Sequence, residues 1–501
     1  EGVMRRVERI LWAVLILLLP VSSSPFIAKL TGAQSVASPS ILIFLVLVLI
    51  RLIPYLFRGE KLPKVVIPVL VFVAVALIAS LLSLFYDIPT FRQIPGVRAM
   101  GSDILTLVIG ALIYVVASSW AGSEEDLHYL FKLINWSAAA LILWGGIQAY
   151  FAFSVGEYPA WMEQFQRSVS SSGLLYPRRI TGFAFEPSWL AHQLNMLYLP
   201  WWLAAAVTGT TVHRWKAGFL TVERLLLVAG LAMLFLTFSR VGWLTVLVLA
   251  AYLILWVNIR LIKNAQLRIL SSIASPSTAR AGRILIPIAL TLAMLAVYTG
   301  LLFAAGSAMT RLDKRMATLF DTQTLRDEGL VMFANKMLFA ERLVTWQTGA
   351  RIFNDYPILG VGVGNEGFFF PQKISGVGLW LVETSKSIYE FDHLPNIKSL
   401  WIRILAEMGI VGFAVVLAWL YILLRFAIRL TRSKDPFTRS MGWMGQFGVL
   451  AFVIEGFSLD SYALPYYWTL LGLFTAASVI FYKRVSAEKL PISAPAKSPK
   501  G

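Results

Sequence analysis

Long apolar runs separated by short charged stretches dominate this chain. A helix of roughly 20 apolar residues spans the hydrocarbon of a bilayer. Runs of about that length occur at 10–30, 40–57, 65–86, 103–121, 128–153 and 184–207. They recur at 219–238, 241–258, 284–305, 397–424, 441–457 and 464–482. The pattern predicts an all-α polytopic membrane protein of about 12 transmembrane helices, nine within 1–305 and three within 397–484. Two polar stretches, 155–181 and 306–396, are too long to be plain connections. In the second, residues 328–353 alternate apolar and polar positions at helical spacing (Leu330, Met337, Leu338, Leu343, Trp346, Phe353), which predicts a large helical loop. Residues 485–501, with Pro491, Pro495 and Pro499 among Lys and Ser, read as a disordered tail.

Composition agrees: 58% of the 501 residues are hydrophobic, more than a soluble fold of this length can hide. Lys and Arg number 44 against 27 Asp and Glu, a net charge of +17. In a soluble protein that excess points to nucleic acid; here it sits in short loops, where it sets topology, and no nucleic-acid partner is expected. With the N-terminus in the cytoplasm, Arg5, Arg6 and Arg9, Arg58 with Lys61 and Lys64, and Arg425 with Arg429 and Arg432 all fall inside. Both termini are then cytoplasmic and both long polar loops periplasmic, in a bacterial inner membrane. The first apolar run follows Arg5, Arg6 and Arg9 without a small-residue cleavage site and reads as a first span. Cysteine is absent and the four histidines lack paired spacing, so neither a metal nor a cofactor is expected.

Four constellations can carry chemistry. The first is Arg178-Arg179-Ile180-Thr181-Gly182 leading to Glu186-Pro187-Ser188, where Pro187 suits a first helical turn. Ser188, His192 and Asn195 follow at i, i+4 and i+7; such a stripe can equally be interhelical packing. Ionisable groups this close to a bilayer are costly, which favours a functional reading of Arg179 and Glu186. The second is Thr237-Phe238-Ser239-Arg240, between two spans. The third is Glu341-Arg342 with Trp346, then Tyr356-Pro357-Ile358-Leu359-Gly360-Val361-Gly362-Val363-Gly364-Asn365, a glycine-spaced turn without the βαβ context of a dinucleotide site. The fourth is His393, Asn396 and Lys398, followed by Arg403 and Glu407, an i, i+4 pair expected to be structural. Arg178, Arg179, Arg240, Arg342 and Lys398 can meet at one membrane surface, where several cations suit a lipid diphosphate. Glu186, Lys398 and His393 are alternative proton acceptors for an attacking hydroxyl. Asn396, Asn365 and His192 are candidate glycan contacts.

These motifs resemble the O-antigen ligase/polymerase superfamily of bacterial membrane glycosyltransferases, over about Arg179 to Gly412. The resemblance implies a GT-C-like fold and an inverting transfer of glycan from undecaprenyl diphosphate to an acceptor hydroxyl at the periplasmic face. It implies arginines on the diphosphate, a lipid-linked glycan donor and acceptor, contact with membrane lipids, and a chain-length regulator as a further partner. Ligases of the family carry His-Asn about nine residues before the Glu of Glu-x-Gly, and here Lys398-Ser399 occupies that slot. The departure favours an O-antigen polymerase over a ligase acting on lipid A–core. A transporter or flippase is a third reading, but no internal repeat supports it.

Overall fold

The computed structural model describes residues 2–31, 36–271, 276–312, 326–327, 333–335 and 339–487. The tail beyond 487 lies outside them, as do Leu330, Met337 and Leu338 of the expected amphipathic stretch. The only sheet among the described residues is an antiparallel pair, Lys216–Ala217 with Leu220–Thr221, so the described part of the chain is essentially all-α. Among the described residues six helices are long and apolar enough to cross a membrane: α2 (Ser40–Phe57), α3 (Lys64–Ser83), α4 (Gly96–Trp120), α5 (Glu124–Val155), α10 (Arg240–Arg268, within the helix Arg240–Ser271) and α15 (Leu400–Leu430). Further helices are α1 (Gly2–Leu18), α6 (Ala160–Val169), α7 (Pro187–Gln193), α8 (Leu199–Thr208), α9 (Val222–Leu236), α11 (Pro276–Leu312), α12 (Ala340–Asp355), α13 (Glu366–Lys373), α14 (Val382–Tyr389), α16 (Pro436–Glu455) and α17 (Pro465–Ala487).

The first apolar run departs from a single span over 10–30. Its helix stops at Leu18, before Pro20 and Pro25, and a separate short helix covers Pro25–Thr31. The run at 184–207 is helical from Pro187 to Thr208, with one π turn at Leu194–Tyr198.

The chain divides into two compact units. The first comprises Glu1–Thr245, Gly349–Pro371 and Asn396–Gly501, so part of the segment expected as one large loop belongs here. In it α17 packs on α4, α16 on α8, and α15 on both α16 and α3. Small residues allow these approaches: a Cβ at Gly472 would lie 2.6 Å from Ala117 Cβ. Leu143 and Val228 are about two-thirds exposed (both 68%), the apolar exterior expected of helices in lipid. The second unit comprises Val246–Thr348 and Gln372–Pro395. There the Tyr298 hydroxyl donates to Asn258 Oδ1 at 2.9 Å, joining α11 to α10. Glu341 Oε1 accepts from the Glu383 N–H at 2.8 Å, joining α12 to α14.

Candidate functional site

The segment before α7 is fixed from both sides. Gln148 Oε1 accepts the N–H groups of Thr181 and Gly182 at 3.1 and 2.8 Å, while Gln166 donates to the Gly182 carbonyl at 3.2 Å. Arg178 has left-handed backbone (φ 54) and an exposed side chain. Arg179 is half-buried; its Nε donates to the Thr237 carbonyl at 3.0 Å. Ile180 N–H donates to the Leu236 carbonyl at 3.2 Å. These bonds fasten the first constellation to the second.

The turn that receives Arg179 opens α10. Phe238 is left-handed (φ 51), Ser239 Oγ accepts the Gly242 N–H at 3.3 Å, and Arg240 is the first helical residue. The positive end of a helix macrodipole therefore adds to the Arg240 charge. Tyr176 lies beside both halves of the site. Burial pushes its phenol up, the Glu186 carboxylate adds to that, and the Arg179 guanidinium, 5.9 Å from its ring centre, opposes it. Glu186 is the cap before Pro187 and accepts a short hydrogen bond from the Ser188 hydroxyl.

One helical turn further along, the polar stripe is occupied internally. His192 is 3% exposed and its Nδ1 lies 2.6 Å from Glu455 Oε2; the Asn195 amide donates to Glu455 Oε1 and, at 3.0 Å, to the Gly242 carbonyl. Lys398, half-buried and left-handed (φ 56), stands just before α15. The residues after it are tied to the end of α16, where the Gly456 carbonyl accepts the Leu400 N–H at 2.8 Å and the Ser399 hydroxyl at 3.4 Å. Asn396 is exposed.

The glycine-spaced turn packs against a break in α15. Gly409 (φ 62, ψ −163) interrupts the helix, and a Cβ there would lie 2.2 Å from the Ile358 carbonyl oxygen. Freed backbone groups find new partners. Ile410 N–H donates to Pro357 at 2.9 Å, while Val361 and Gly362 N–H donate to Ala406 and Glu407 carbonyls, both at 2.9 Å. Asn365 is buried in this joint, donating to Ser83 Oγ at 3.0 Å and to the Val361 carbonyl at 2.9 Å. His192 and Asn365, expected as glycan contacts, thus have protein partners.

Arg403 and Glu407 form the expected pair at 3.0 Å, within a larger cluster. Arg403 also reaches Asp103 at 2.5 Å, Glu366 at 3.7 Å and the Asp460 carbonyl at 2.7 Å, and Tyr462 donates to Glu407 Oε2 at 2.7 Å. Burial, reinforced by the neighbouring Glu407 carboxylate, pushes the Glu366 carboxyl well above its ordinary value. In the second unit Arg342 is half-buried near the start of α12, and His393 is exposed and stacked on Phe391 at 5.1 Å. Among the described residues no three His, Asp or Glu side chains are arranged to hold a metal ion.

Asp103, Glu366, Tyr462 and Glu455 escaped the sequence reading. A lone acid inside an apolar run, as at Asp103 and Glu455, was the available signal.

No curated protein matches this chain. The O-antigen ligase family model matches residues 225–417. The match takes in the Arg240 turn, the glycine joint and the Arg403 cluster's α15 residues, whereas Arg179, Glu186 and Glu455 lie outside it. Over those residues the match supports membership in the O-antigen ligase/polymerase superfamily.

Proposed function

We propose that this protein is an inverting glycosyltransferase that polymerises undecaprenyl-diphosphate-linked repeat units at the periplasmic face of the inner membrane. We read it as about 12 spans in a GT-C-like arrangement with both termini cytoplasmic. The observation that carries the reading is the bond from Arg179 to the Thr237 carbonyl, which seats two adjacent arginines beside the helix start that bears Arg240. Such a cluster suits an anionic leaving group.

In the reaction, the hydroxyl oxygen of the acceptor attacks the anomeric carbon opposite the diphosphate. The bond from that carbon to the diphosphate oxygen breaks, and its electron pair stays on the undecaprenyl diphosphate. Arg178, Arg179 and Arg240 take the developing charge; Lys398 and, by resemblance, Arg342 are further cations for it. The hydroxyl proton passes to Glu186, whose carboxylate acts on the same Tyr176 phenol as the Arg179 guanidinium. Lys398 and His393 remain the alternative acceptors. Asn396 is exposed and free to meet glycan.

Purified protein supplied with a lipid-linked repeat unit should give a ladder of longer glycans. Transfer only onto lipid A–core supports a ligase, the second reading, which the description of the matched family favours. Glycan crossing vesicles without new bonds overturns both.

A further inference from the structure

Glu455 joins three parts of the chain that the transfer reading needs in register. Its carboxylate is fully buried (0% exposed) at the last turn of α16. One oxygen meets His192 and the other takes the Asn195 amide, so it grips two successive turns of the helical stretch that begins at Glu186. Asn195 in turn holds the Gly242 carbonyl, two residues after Arg240. The next carbonyl in the chain, that of Gly456, receives Leu400 and Ser399 immediately after Lys398. The Glu455 carbonyl itself accepts the Ser458 N–H at 2.7 Å and the Leu459 N–H at 3.0 Å, which stiffens that corner.

We propose that Glu455 is a positioning residue, setting the spacing between Glu186, Arg240 and Lys398 through His192 and Asn195. The inference rests on the transfer reading above. It makes no demand on the Glu455 charge: a group of the same size that keeps both side-chain bridges should serve.

Two variants separate this role from plain stability. Glu455→Gln keeps the size and can still bridge both partners, whereas Glu455→Leu keeps much of the volume and bridges neither. With a polyprenyl-diphosphate-linked repeat unit as substrate, Glu455→Leu should lower kcat about 100-fold while KM changes by less than about threefold. Glu455→Gln should retain most of the turnover. Full kcat in Glu455→Leu overturns the proposal, as does equal impairment of both variants, which would assign the effect to charge.

A second arm does not depend on activity. The chain has no cysteine, so spin labels at Arg178→Cys and Asn396→Cys report one distance. That distance should be narrowly distributed with Glu455 or Gln at 455 and broad in the Glu455→Leu background. An unchanged distribution overturns the inference. If Glu455→Leu does not accumulate, Asn195→Leu, which removes one bridge, must broaden the distribution to a smaller extent. Failure of the unmodified protein to elongate glycan would remove the transfer reading alone and leave the label result standing.

Discussion

The carboxylate of Glu407 accepts the Arg403 guanidinium at 3.0 Å from one helical turn away, and both side chains are buried. Arg403 is also the cation that Asp103 and Glu366 face. Arg403→Leu should therefore strip the buried Glu366 and Glu407 carboxyls of their shared cation and cost about 3–5 kcal/mol. Thermal or denaturant unfolding in detergent reads this directly.

Glu366 makes the same cluster sensitive to pH. Its carboxyl is raised in the folded protein, so its contribution to stability is fully present below the unfolded value and is lost as pH rises through the folded one. Glu366→Gln carries no such loss. The difference in melting temperature, variant minus unmodified protein, should therefore increase steadily as pH is raised from about 4.5.

Gly409→Ala tests the joint in α15. Its φ of 62 with ψ −163 is backbone that only glycine adopts without strain, worth about 1–3 kcal/mol before the contact with the Ile358 carbonyl is counted. The variant should melt lower or fail to accumulate, and Ile358→Ala, at an exposed neighbour, should do neither.

Arg179→Ala and Arg240→Ala should each lower transfer by about 100-fold, the order expected for losing one preorganised donor at a developing negative charge. Arg179→Lys should recover only part, because an ammonium cannot keep the Thr237 bond and fork onto phosphate together. Turnover of a lipid-linked repeat, with melting temperature measured alongside, checks both.

What could be read from the chain follows the range of the interactions. The Pro187 start of α7 and the Arg403–Glu407 pair depend on residues within one helical turn, and spacing alone exposes them. The polar stripe of His192 and Asn195 was visible too, but not its partner, because Glu455 joins it from more than 250 residues away. The meeting of Asp103 with Arg403, 300 residues apart, is hidden from local pattern for the same reason. The broken first run shows the opposite failure: hydropathy summed over a window passes across Pro20 and Pro25, whereas the backbone cannot.

The joint between the glycine-spaced turn and the break at Gly409 is made largely by main chain meeting main chain. Amide and carbonyl groups are the same whatever side chain they carry, so these bonds ask nothing of the valines between the glycines, whose complete burial restricts them only to apolar residues of similar size. A chain could preserve this shape while its letters drift until little but Gly360, Gly362, Gly364 and Gly409 remains as a signature. Comparison by shape should therefore find kin of this protein that comparison by letters passes over.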